Sequence, residues 1–146
     1  MNNTKLYEND FNAWIAQQIS LLKAGKTNEI DTEHLIEELE DMGISSLREL
    51  ESRFVILIAH LLKWQFQFDQ QSGSWRGSIN EQRVQVLRLL RKIPSLKRQI
   101  NDAITDAYPD ALEIAIDETG LPESCFPKTC PYSVEQLLDK QFYPET

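Results

Sequence analysis

Cysteine is scarce in this 146-residue chain. Cys125 and Cys130 are too few to hold a tetrahedral zinc ion, and their spacing is not that of a CxxC redox pair. They are expected to be reduced thiols in a packed loop. Glycine is almost as rare, with five residues placed singly at turn-like positions, so no glycine-rich phosphate loop can be drawn. There are two histidines, His34 and His60, and no Ser/His/Asp or Cys/His nucleophile arrangement around either. Long apolar runs are also missing. The longest, Phe54 to Leu62, is interrupted by His60 and falls far short of the roughly 20 residues that cross a bilayer. The N-terminus lacks the basic, apolar and small-residue succession of a signal peptide. No strand alternation, repeat or low-complexity segment is evident. These absences predict a cytoplasmic chain with no membrane association and no cofactor.

Basic residues are outnumbered, 15 against 23, and the formal charge of −8 argues against a general binder of nucleic acid or anionic lipid. The distribution is uneven. Positions 29 to 51 hold nine acidic residues and only Arg48 as a base, while positions 76 to 98 hold seven basic residues and only Glu81 as an acid. The simplest expectation is that the two stretches face each other within the fold.

Helical periodicity is abundant. Asp10 can cap a first helix with Phe11, Trp14, Ile15, Ile19 and Leu22 on its apolar face, and Gly25 to end it. Asp31 can cap a second, with a buried stripe of Leu35, Leu39 and Met42 and Gly43 as its stop. Ser46 and Glu49 have the spacing of a capping box for a third, along which Leu47, Leu50, Phe54, Leu57, Leu61, Trp64 and Phe68 form a heptad seam. A basic helix capped by Ser74 or Ser78 runs to Pro94, with Ile79, Val86, Leu90 and Ile93 inward. A fifth runs from Ser95 to Thr119, with a kink or break expected near Tyr108 because Pro109 follows it. Three of the six prolines fall in LPESCFPKTCPYS, which predicts an ordered strap, and Ser133 with Gln136 predicts a short capped helix after it.

Several stretches, taken in order, carry a family resemblance: LYENDFNAWIAQQISLLKAG, HLIEELEDMG, HLLKWQFQ, SWRGSINEQR, IPSL, AYPDA with ETGLP, and FPKTCPYSVEQLLD. Together they resemble the bacterial family labelled domain of unknown function 29, common among cyanobacteria, over nearly the whole chain. The resemblance implies an all-helical fold and assigns no activity and no site residues.

Three chemistries can be placed on the residues. Arg53 and His60, seven apart, lie nearly two helical turns from each other on almost the same side, a spacing similar to that of HEPN ribonucleases. In those the histidine is a general acid or base and the arginine holds the scissile phosphate. The plainer reading makes His60 a core-edge histidine donating to a buried acceptor and Arg53 an ion-pair partner of the acidic second helix. His34 with Glu37, Glu38 and Asp41 could present divalent-metal ligands on one helix face, although carboxylates also collect at helix N-termini because the dipole favours them. Trp75, Arg76, Arg83, Arg88 and Arg91 could track phosphates and stack on a base, or be neutralised by the acidic stretch.

The reading that weighs these together is a single all-α domain over 1–146, a bundle of five or six helices with residues 121–146 as a C-terminal strap. It is expected to act through a protein partner or a second copy of itself, without catalysis. A HEPN-like nuclease and a divalent-metal bundle are the competing readings.

Overall fold

Asp10 separates two helices. Its carboxylate accepts from the Ala13 backbone N–H at 3.1 Å and so caps α2, Phe11–Lys23, while its own backbone N–H bonds to Leu6 at the end of α1, Asn3–Asn9. The computed structural model describes residues 3–145. Four more helices follow among them: α3, Thr32–Phe66; α4, Gly73–Lys92; α5, Ile100–Thr119; and α6, Val134–Leu138. Three short 3-10 turns at Phe68–Gln70, Pro94–Gln99 and Glu123–Cys125 join them, and no strand occurs among the described residues. The all-α fold is thus present, with six helices. The first, α1, escaped the sequence reading because its seven residues show no apolar period.

The backbone contacts form two compact units, residues 1–45 and 46–146, and α3 contributes to both. Its continuity corrects the predicted stop at Gly43 and start at Ser46. Gly43 is not in the left-handed conformation that ends a helix, unlike Gly25 (φ 73°) after α2 and Gly120 (φ 72°) after α5. One interior glycine costs a helix only about 1 kcal/mol, and the flanking Leu, Glu, Met and Arg residues are good helix formers.

In the unit 46–146, α3 is the central element. Leu50, Phe54, Leu57 and Leu61 of the predicted seam are fully buried, as are Ile58 and Leu62 beside them. The seam frays at its ends: Leu47 and Trp64 are half-buried, and Phe68 lies outside the helix with 61% of its surface exposed. Ile79, Val86 and Leu90 of α4 join the same core, together with Ala103, Ala107, Ala111 and Ala115 of α5. Ser72 caps α4, two residues before the first of the predicted serines, by accepting from the Trp75 N–H. Pro109 is accommodated inside an unbroken α5, where it is exposed, so no break occurs near Tyr108. Pro94 instead opens a 3-10 turn, which delays α5 from Ser95 to Ile100.

The C-terminal strap is ordered by α6 and by Arg83. Ser133 and Gln136 form the predicted capping box at the start of α6. Arg83, fully buried in α4, donates from Nε to the Leu137 carbonyl at 2.9 Å and from its two terminal nitrogens to the Phe142 and Gln136 carbonyls at 2.7 and 3.0 Å. A planar guanidinium can satisfy three diverging carbonyls in this way, which an ammonium on a flexible stem cannot do with the same geometry. The aromatic rings of Phe142 and Tyr143 lie beside the same cation, which completes its enclosure.

Candidate interaction surface

The unit 1–45 buries few side chains, chiefly Trp14 and Gln18, and a polar network around them fixes its helices. Gln18 accepts the Asp31 backbone N–H at 2.7 Å. The Asp31 carboxylate receives the Trp14 indole N–H at 3.0 Å, the His34 Nδ1 at 2.7 Å and the His34 backbone N–H at 3.4 Å, which caps α3. Because an ionised carboxylate only accepts, Nδ1 of His34 carries a proton. The hydrogen bond to Asp31 raises the His34 pKa above its ordinary value against the opposing effect of burial. Burial would raise the Asp31 pKa, but the bonds from His34 and Trp14 outweigh it and the net direction is down. Tyr7 stacks on the His34 imidazole at 4.0 Å between centroids and donates its hydroxyl to Glu38. That bond to Glu38, with burial adding to it, pushes the Tyr7 phenol up to about 12.

Above this network the two helices leave a groove of about 390 Å³ between α2 and the first turns of α3. Phe11, Ile19 and Leu22 line it from α2, and Leu35, Leu39 and Met42 from α3. The sequence reading put Phe11, Ile19 and Leu22 on an apolar face and Leu35, Leu39 and Met42 in a buried stripe; Leu35 is half-buried, but Leu39 and Met42 are exposed, which corrects the stripe. Phe11 is 43% exposed, Leu22 50%, Leu39 64% and Met42 65%. The helical period identifies an apolar face but not what covers it. Glu38 lies among these side chains as the only charged group of the lining.

Several of the residues singled out for chemistry have partners of their own. His60, half-buried, bonds through Nδ1 to the Ile56 carbonyl one turn earlier at 2.9 Å; a carbonyl only accepts, so this nitrogen is protonated. Arg53 pairs with Glu49 on its own helix at 3.7 Å and donates weakly to Gln82 of α4 at 3.4 Å. Of the predicted metal ligands, His34 is engaged with Asp31 and Glu38 with Tyr7. Among the described residues no three His, Cys, Asp or Glu side chains are grouped to hold an ion.

The basic helix is not one open strip. Arg83 is enclosed, and Trp75 is half-buried with the Lys63 ammonium 4.7 Å from its ring centre. Arg76, Arg88 and Arg91 are the exposed members of the set, and Arg76 stacks on Tyr143 at 4.5 Å. Sequence reasoning missed Lys63, which is buried and paired with Glu118 at 3.0 Å; a lysine inside the apolar run HLLKW was its only signal.

A second hollow, of about 440 Å³, lies between α5 and the strap beside Tyr108, Lys128, Cys130 and Ser133. Its inner polar groups are satisfied locally: the Tyr108 hydroxyl donates to the Pro127 carbonyl at 2.6 Å, and that of Tyr132 to Gln65 at 2.8 Å. Burial raises the Cys130 pKa, so this sulfur is a protonated thiol and not an activated nucleophile.

The chain is all-helical among its described residues and leaves an apolar groove open in the unit 1–45. The sequence model of the family described as Domain of unknown function DUF29 matches residues 6–143, and the chain belongs to that family. No curated protein and no solved structure matches the chain. No helix among the described residues is long and apolar enough to cross a membrane.

Proposed function

We propose that the chain acts by contact and not by chemistry, as a protein-interaction module that receives a helix of a partner protein in the groove between α2 and the first turns of α3. The observation that carries this reading is the concentration of exposed apolar surface. Among the described residues every large apolar side chain that is exposed, except Phe68, lies in the unit 1–45. Five of them, Phe11, Ile19, Leu22, Leu39 and Met42, line the groove together, and such a patch on a chain that otherwise buries its core well is the usual mark of a binding face. A groove between two helices is filled by a third through anchors at i, i+3, i+4 and i+7. No sheet edge occurs among the described residues to recruit a strand instead. The engagement of Arg53 with Glu49 and Gln82, and of His60 with the Ile56 carbonyl, supports a role without catalysis.

The test uses exposed positions, where substitution spares the fold. The full chain should bind a neutral apolar dye such as Nile red, and Leu39→Asp or Leu22→Asp should abolish that binding at an unchanged melting temperature. Dye binding indifferent to both changes would refute the groove. RNA cleavage by the wild type, lost in both His60→Ala and Arg53→Ala without loss of stability, would replace this reading with the HEPN-like nuclease.

A further inference from the structure

On the groove reading just given, we infer that the occupant is an amphipathic helix of a partner protein that carries lysine or arginine along one flank of its apolar stripe. The charge of the receiving unit is the first argument. Residues 1–45 hold nine acidic side chains and three basic ones. The placement of that charge is the second. Glu38 lines the groove itself, and Glu37 and Asp41 are exposed on the same stretch of α3. At 100° per residue, Glu38 and Asp41 run along one side of the line formed by Leu35, Leu39 and Met42. The opposite wall, α2, lines the groove with apolar side chains and the amide of Gln18. The groove therefore has one acidic edge and one neutral edge, and its complement has one basic flank. Charges at the rim of an apolar contact choose the partner and speed the encounter more than they hold it.

The same distribution disfavours the other occupants. A two-fold pairing of this face with a second copy would bring two acidic edges together, and like charges across an interface are costly. A head-to-tail pairing would need an apolar patch on the unit 46–146, where Phe68 is the exposed large apolar side chain among the described residues. An anionic lipid surface meets the same repulsion.

The experiment titrates the full chain with a synthetic helical peptide that carries leucines at i, i+3, i+4 and i+7 and lysines on one flank. Two controls accompany it, one with the lysines replaced by glutamate and one with the leucines replaced by serine. The lysine peptide should bind at least tenfold tighter than the glutamate peptide at low salt, with the preference shrinking as salt is added, and the serine peptide should not bind. Asp41→Asn should weaken the lysine peptide about two- to threefold and leave the glutamate peptide unaffected or improved. Equal binding of the lysine and glutamate peptides, both lost in Leu39→Asp, would overturn the basic partner and leave the groove standing. No binding of either would overturn both. A dimer in sedimentation that Leu39→Asp dissociates would make the second copy the occupant and overturn the inference.

Discussion

Arg83 is the residue on which most of the C-terminal strap depends, because one fully buried side chain answers three backbone carbonyls. Burial lowers its pKa, but an arginine stays charged at any ordinary pH, so the enclosed cation needs all of these acceptors. Replacing it strands them, and Arg83→Met should cost on the order of 3 to 5 kcal/mol, with Arg83→Lys recovering only part. Urea melts of the three proteins check this, and a loss under about 1 kcal/mol for Arg83→Met would mean that the strap is held by Leu137 and Tyr132 alone. The Asp31–His34 pair makes a prediction of a different kind. His34 has a folded pKa above its ordinary 6.5, so its contribution is complete below pH 6.5 and is lost as pH rises through the raised value. Asp31 has a folded pKa below 3.8, so its contribution is complete above that value and is lost as pH falls through the lowered one. The unit 1–45 should be firmest between about pH 4 and 6.5, given those two directions. An NMR titration should place the His34 midpoint above 6.5, and Asp31→Asn should bring it back down; an unmoved midpoint would remove the pair from the account.

Among the elements, α3 sets the sharpest test, because Gly43 was read as a helix stop and lies in a helix interior. No atom lies within 4 Å of where its Cβ would be. Gly43→Ala should therefore stabilise the chain by about 0.5 to 1 kcal/mol, whereas a left-handed stop would be destabilised by the same change. Gly120→Ala, at a true left-handed stop, should lose stability in the same denaturant series. Leu57→Ala and Leu61→Ala, both fully buried, should each cost about 2 to 5 kcal/mol. The contrast shows what was legible. Caps whose partners lie within four residues, Asp10 with Ala13 and Ser133 with Gln136, could be read directly. So could the seam from Leu50 to Leu61, since a period is a local property. Gly43 could not, because the same residue type serves a left-handed stop and a tolerated interior site, and Ser46 with Glu49 has the capping-box spacing by coincidence. Arg83 was read as part of a basic face because its acceptors lie more than fifty positions away. The groove was half legible: the apolar faces of both helices were identified, but periodicity alone could not show that they lie open.

Across the whole molecule, burial is shared unequally between the two units, and stability should follow it. The unit 46–146 encloses the seam of α3, the inner faces of α4 and α5, and Phe126, Tyr132 and Leu137 of the strap. The unit 1–45 encloses Trp14 and Gln18 and otherwise relies on the bonds around Asp31. Local opening is governed by how much apolar surface must be exposed, so the first unit should open without the second. In hydrogen exchange, amides of α2 and of residues 32 to 45 should be protected at least tenfold less than those of residues 50 to 62, about 1.4 kcal/mol or more in opening free energy. Arg83→Met provides the control that separates local from global opening. It should raise exchange throughout residues 50 to 62 and leave α2 unchanged. A basic-flanked peptide seated in the groove should do the reverse, protecting α2 and residues 32 to 45 in proportion to its occupancy. Equal protection of both units, with Arg83→Met accelerating exchange in each alike, would mean that they unfold as one and that the groove is as rigid as the core.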